Sequence, residues 1–125
     1  MQKQSIAIVG LGRVGSVFLE KLLGQSAKGI EIVAVAEKGV TAGTALAKAH
    51  GIENLTLDQL IAKSAKIDIL FELTGLAAVR QELREKLMAT GNRHTVIATE
   101  GIASLIWVLI AEGENLPNVH GKTGY

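Results

Sequence analysis

Short apolar runs alternate along the whole chain with longer stretches in which apolar residues recur every three or four positions. Residues 5–9 are apolar at successive positions and partly β-branched, which predicts a strand buried on both faces. Arg13–Leu23 places Val14, Val17, Phe18 and Leu22 at helical spacing. "GIEIVAVAE", residues 29–37, reads as a second strand. An alanine-rich helix follows over 41–50, with Gly51 as its stop. A brief third strand is expected around Leu55, and Asp58 is expected to cap the helix "LDQLIAKSA". "IDILFEL" (67–73) and "TVIAT" (95–99) are further strands, followed by helices over 76–90 and 103–112. A last short strand is expected at 118–120. Regular alternation of this kind predicts a parallel sheet covered by helices on both faces and joined by right-handed crossovers.

The break between the first strand and the first helix carries the chemistry. "IAIVGLGRVGS" puts Gly10, Gly12 and Gly15 between them, the G-x-G-x-x-G spacing in the strand–turn–helix context that gives it meaning. Gly10 permits a tight turn off the strand. Gly12 lets a pyrophosphate approach the backbone, and Gly15 lets the helix pack closely on the sheet. Free N–H groups of the helix's first turn then face the phosphates, favoured by the helix dipole. Glu37 closes the second strand about 20 residues further on, where an acid accepts hydrogen bonds from an adenosine ribose. Its charge repels a 2′-phosphate, so NAD is expected over NADP. Lys38 works against that preference, because a cation beside Glu37 can pair with such a phosphate, and Arg13 is placed to touch phosphate from within the loop. The pattern predicts a Rossmann-type, doubly wound α/β domain with strand order 3-2-1-4-5 and room for one more strand.

Composition narrows the partners. With 125 residues the chain is expected to form one domain without a separate substrate domain. Aromatics amount to only 3%, so the core must be built from Ala, Val, Ile and Leu. The net charge of +1, with both signs interspersed, gives no reason to expect nucleic acid. No cysteine is present, which removes disulfides, thiolate metal sites and a cysteine nucleophile. The longest apolar stretch, residues 102–111, is about half of the roughly 20 residues a bilayer span needs, and no signal peptide is visible. A cytoplasmic location is expected.

The succession "IAIVGLGRVGS", "IVAVAE", "ALAKAHGIENLTLDQLIAKSAKIDILFELTG" and "VIATEG" resembles the N-terminal domain of the glucose–fructose oxidoreductase and inositol 2-dehydrogenase family. Homoserine dehydrogenases and dihydrodipicolinate reductases are more distant look-alikes. The resemblance implies that Gly10, Leu11, Gly12, Arg13, Val14 and Gly15 form the pyrophosphate loop. It implies that Glu37 holds the adenosine ribose, with Lys38 next to it in the sequence, and that Thr74 and Gly75 pass beside the cofactor. Glu100 matches the acidic start of the family's Glu-Lys-Pro motif, but Gly101 and Ile102 stand where its lysine and proline belong. That lysine is the family's residue nearest the reacting centre. Family members also continue into a second domain that holds the substrate, so no catalytic residue is assigned here. The resemblance therefore implies an NAD(H)-binding protein in which catalysis is absent or depends on another domain. A second reading of a different class is an NAD-sensing regulatory module without activity of its own.

Other constellations weigh less. "GKTG" at 121–124 has Leu116 where a P-loop requires glycine. His50, His94 and His120 show no metal-ligand spacing and are expected in surface or capping roles. Glu72 lies in a strand that should be buried, where an unpaired carboxylate is costly; pairing with a helix-borne cation is expected, the alternative being that it faces the ligand crevice. Residues 102–111 are apolar on almost every side, which predicts a homodimer formed through that helix.

Overall fold

The structure is a computed structural model that describes residues 3–110. Five strands, β1 (Gln4–Val9), β2 (Ile30–Ala36), β3 (Glu53–Asn54), β4 (Ile69–Glu72) and β5 (Val96–Ala98), form one sheet in the order β3-β2-β1-β4-β5. Every neighbouring pair runs parallel. The expected α/β architecture and strand order are borne out. The expected strand at 118–120, "GKTG" and His120 lie outside the described residues.

Two apolar layers enclose the sheet. Ile6 and Ile8 of β1 point to one face, where they join Val14, Phe18 and Leu22 of helix α1 (Arg13–Leu23) and Ala103 and Trp107 of α5 (Glu100–Ile110). Ala7 and Val9 point to the other, toward Leu60 of α3 (Leu57–Ala62) and Leu83 of α4 (Ala77–Ala89). A strand at the centre of a parallel sheet must be apolar on both sides, and β1 is. Phe18 and Phe71 meet edge to face with centroids 4.9 Å apart, joining α1 to β4. Helix α2 (Ala42–Ala49) lies against α1 through Gly43, where an added Cβ would come within 2.5 Å of Ser16 Oγ.

Several boundaries differ from those expected. The cap of α3 is Thr56: its hydroxyl accepts from the Gln59 N–H while the Gln59 side chain accepts from the Thr56 N–H. This reciprocal box satisfies two orphan donors at once. Asp58 lies inside the first turn and pairs with Lys86 of α4. That pairing holds the Lys86 ammonium above its ordinary pKa. Helix α5 begins at Glu100 rather than near Ala103, because the Thr99 carbonyl already accepts from the Ile102 and Ala103 N–H groups. Gly51 sits just beyond α2 with φ +70°, as a helix stop requires. His50 caps the same helix end, and its ring lies 3.0 Å from the Leu46 carbonyl. No helix of the described residues is long and apolar enough to cross a membrane.

Candidate functional site

At the carboxyl ends of β1, β2 and β4 the sheet opens into a cavity of about 580 Å³. The order of strands reverses beside β1, and a crevice at that point is where open α/β sheets hold ligands. The floor is the glycine turn. Gly10 has φ +95°, and a side chain there would lie 2.8 Å from the Thr74 backbone nitrogen and 2.9 Å from the Leu73 carbonyl carbon. Only glycine allows the two strand exits to pass so closely. Gly15 is tighter still, since its absent Cβ would fall 1.9 Å from the Gly10 carbonyl oxygen.

Gly12 differs in kind. It caps α1 without any side-chain hydrogen bond, and open space lies where its Cβ would be. The first N–H groups of α1 therefore face the crevice, with Arg13 exposed beside them. This arrangement fits the diphosphate of a dinucleotide: unspent donors, the positive end of a helix dipole and no side chain in the approach.

Glu37 stands on the adjoining wall. One carboxylate oxygen accepts from the Leu11 N–H and the other from the Gly39 N–H, each at 2.8 Å. Two ionised oxygens offer about four acceptor positions, so two remain for a vicinal diol. Asn54, at the end of β3, holds the backbone of Glu37 from the side. Lys38 lines the crevice next to them.

The opposite wall is the exit of β4. Glu72 is fully buried there, with one oxygen accepting from both the N–H and the hydroxyl of Thr74. Its other oxygen lies 3.4 Å from Arg80 Nε of α4 but is misaligned for a hydrogen bond. The expected helix-borne cation is thus present, as an ion pair. Thr74 spends its hydroxyl twice, donating to Glu72 and accepting from the Leu76 N–H at 3.0 Å.

Of the residues singled out in the sequence, Gly10, Gly12, Arg13, Val14, Glu37, Lys38 and Thr74 line this one cavity. Leu11 is buried in the core and takes part through its N–H alone. Gly15 supports the turn from beneath, Gly75 takes the left-handed conformation (φ +74°) after Thr74, and Glu100 opens α5; none of these is part of the lining. Sequence reasoning missed Asn54, Leu55, Thr56 and Leu57 on one side and Leu76, Val79 and Glu82 on the other. Leu55, Leu57, Leu76 and Val79 make an apolar slot between the start of α3 and the first turn of α4. The "T-x-x-Q" capping signal at Thr56 was the one local cue to that wall.

A glycine-floored crevice at the switch point of a parallel sheet, with an acid at the end of its second strand, defines a dinucleotide-binding Rossmann domain. Comparison with known proteins agrees. Residues 10–103 match the family model of the homoserine dehydrogenase NAD-binding domain. The chain belongs to that family.

Among solved structures, homoserine dehydrogenase of S. aureus matches 90% of this chain with a TM-score of 0.61 at 17% identity, over 30% of its own length. A candidate myo-inositol dehydrogenase of Sinorhizobium meliloti 1021 matches 88% with a TM-score of 0.60 at 23% identity, over 33% of its length. GenD2 from gentamicin A biosynthesis, solved in complex with NAD, matches 81% with a TM-score of 0.51 at 20% identity, over 35% of its length. These likenesses bear on the fold, and the chain spans about a third of each of those proteins. No curated protein matches the chain. The oxidoreductase group inferred from the sequence is borne out, although the matching family model is that of homoserine dehydrogenase, which the sequence placed second.

Proposed function

We propose that this chain binds NAD(H), with the diphosphate over Gly12 and the start of α1 and the adenosine ribose on Glu37, and that it favours NAD over NADP. The observation that carries the reading is the Glu37 carboxylate. Two backbone N–H groups hold it beside the open Gly12 turn, and acceptor positions are left over for a diol. A 2′-phosphate at that place meets a fixed negative charge. The apolar slot of Leu55, Leu57, Leu76 and Val79 suits the flat adenine ring.

Hydride transfer is proposed to depend on a further domain that presents the substrate, because the groups gathered in the crevice hold a cofactor and leave the reacting partner unplaced. The alternative is a module whose NAD occupancy is itself the signal. A screen of this chain alone for NAD-dependent oxidation of homoserine, sugars and polyols tests what the two share, since turnover without a further domain overturns both.

The test of binding is calorimetry and thermal denaturation with NAD, NADH and NADP. A ligand at a hundred times its Kd raises stability by about 2.7 kcal/mol. NADH is expected to raise Tm, NADP less, and Glu37→Ala to narrow the difference. No heat with any adenine dinucleotide refutes the proposal.

A homodimer through α5 is also proposed. Ala103 and Trp107 face the core, while Ile102, Leu105, Val108 and Leu109 are about half exposed or more. A second copy of the same helix is a self-complementary cover for such a stripe. Sedimentation of the chain and of Leu105→Glu tests it, and identical monomeric profiles at high concentration would exclude it.

A further inference from the structure

Strand β3 contains two residues, and its backbone leaves the sheet at Leu55, whose N–H donates to the Val35 carbonyl at 2.7 Å. Strand β2 ends at Ala36, so Glu37 lies just past it, and among the described residues β3 pairs with β2 only as far as Val35. Asn54 fills the gap with its side chain. Its Oδ1 accepts from the Glu37 N–H at 2.9 Å and its Nδ2 donates to the Glu37 carbonyl at 3.0 Å. A side-chain amide thus reproduces the donor and acceptor of one peptide unit, and only one orientation of the amide satisfies both bonds. The backbone of the acid itself, just before the turn at residues 38–40, is thereby fixed to the sheet edge. From this anchor the Glu37 side chain reaches both the Leu11 and the Gly39 N–H groups.

We propose that Asn54 is a specificity-determining positioning residue: by pinning the Glu37 backbone it keeps the carboxylate where a ribose diol fits and a 2′-phosphomonoester does not. The inference rests on the NAD(H)-binding reading above and adds a residue to it. Selectivity against a 2′-phosphate is a matter of rigidity as well as charge. A carboxylate free to swing outward vacates the site, and Lys38 then stands ready to pair with the phosphate. With its backbone latched by Asn54, Glu37 keeps the anchor from which its carboxylate reaches the Leu11 and Gly39 N–H groups. Asn54 is exposed at the sheet edge and fills no core volume, so its removal leaves the fold's apolar layers intact.

The experiment compares Kd values for NADH and NADPH by fluorescence titration of the purified chain and of Asn54→Ala, Asn54→Asp, Glu37→Ala and the Asn54→Ala/Glu37→Ala double variant. Loss of two exposed hydrogen bonds is expected to narrow the NADH-over-NADPH ratio by roughly threefold to tenfold. Asn54→Asp keeps the acceptor, puts a second acceptor against the Glu37 carbonyl and adds charge, so it is expected not to restore tight NADH binding. In the Glu37→Ala background, removing Asn54 is expected to leave the ratio unchanged, because nothing remains to be positioned. A merely structural role would weaken both ligands equally and leave the ratio where it was. That result, with wild-type chain still preferring NADH, overturns the role of Asn54 alone. A wild-type chain that binds neither dinucleotide, or prefers NADPH, overturns the ribose assignment and this inference with it.

Discussion

A side chain at Gly15 would place its Cβ 1.9 Å from the Gly10 carbonyl oxygen, whereas one at Gly12 would meet nothing within 4 Å. Two glycines of one motif therefore answer to different demands, one to packing and one to an approaching ligand. Gly15→Ala drives an atom into backbone that cannot rotate aside, and is expected to cost about 3 kcal/mol in urea unfolding. Gly12→Ala, whose φ of −73° suits any residue, is expected to stay within about 1 kcal/mol of wild type. It should nevertheless weaken NADH by about tenfold, or 1.4 kcal/mol, by putting a methyl group in the phosphate approach. Equal losses of stability in the two variants would contradict the division.

The ion pair at the exit of β4 is expected to matter for stability through the partner left behind. Arg80→Ala takes from the fully buried Glu72 the cation that stands beside its second oxygen. Breaking a fully buried pair costs about 3–5 kcal/mol. The Arg80 side chain is 30% exposed, so water softens its half of the interaction, and a loss nearer 2 kcal/mol is expected. Glu72 also holds both the N–H and the hydroxyl of Thr74, so a Glu72→Ala change should loosen the crevice wall as well. Chemical denaturation and dinucleotide titration of the two variants distinguish the effects: Arg80→Ala lowers stability, while Glu72→Ala lowers stability and affinity together.

The capping of α3 yields a sharper contrast. Thr56→Ala removes the acceptor of the reciprocal box and is expected to destabilise by about 1 kcal/mol. Asp58→Asn disturbs an exposed pair with Lys86, and exposed pairs contribute between about 0 and 1 kcal/mol. Thermal denaturation that ranks Asp58→Asn as the more damaging change would return the cap to Asp58.

The order of the sheet was legible because a central parallel strand must be apolar at every position, and β1 shows this in the four residues Ile6, Ala7, Ile8 and Val9. The glycine turn was legible because its spacing and its context agree. The far wall of the crevice was not. Leu55, Leu57, Leu76 and Val79 are ordinary apolar residues that converge only after two crossovers fold back on the sheet. Asn54 looks like any polar residue in a turn until its amide is seen alongside Glu37. Helix α5 starts at Glu100, ahead of the position 103 read from the sequence, because the Thr99 carbonyl accepts from the Ile102 and Ala103 N–H groups and Glu100 sits at the dipole's positive end.

The amino end of the sheet provides the test in pH. Asp68 accepts from the Ser5 N–H at 2.8 Å through one oxygen and pairs with His94 Nε2 at 2.6 Å through the other. The backbone hydrogen bond and then the histidine hold its carboxyl below the ordinary value of 3.8. A carboxyl whose folded pKa is depressed adds stability that is fully present above its unfolded value and disappears as pH falls through the folded one. Stability is thus expected to decline as the solution is acidified below about pH 3.8, and Asp68→Asn should flatten that part of the profile. Melting curves from pH 6 down to about pH 2 for both proteins provide the check. Parallel profiles would mean that the ties to Ser5 and His94 do not persist in solution.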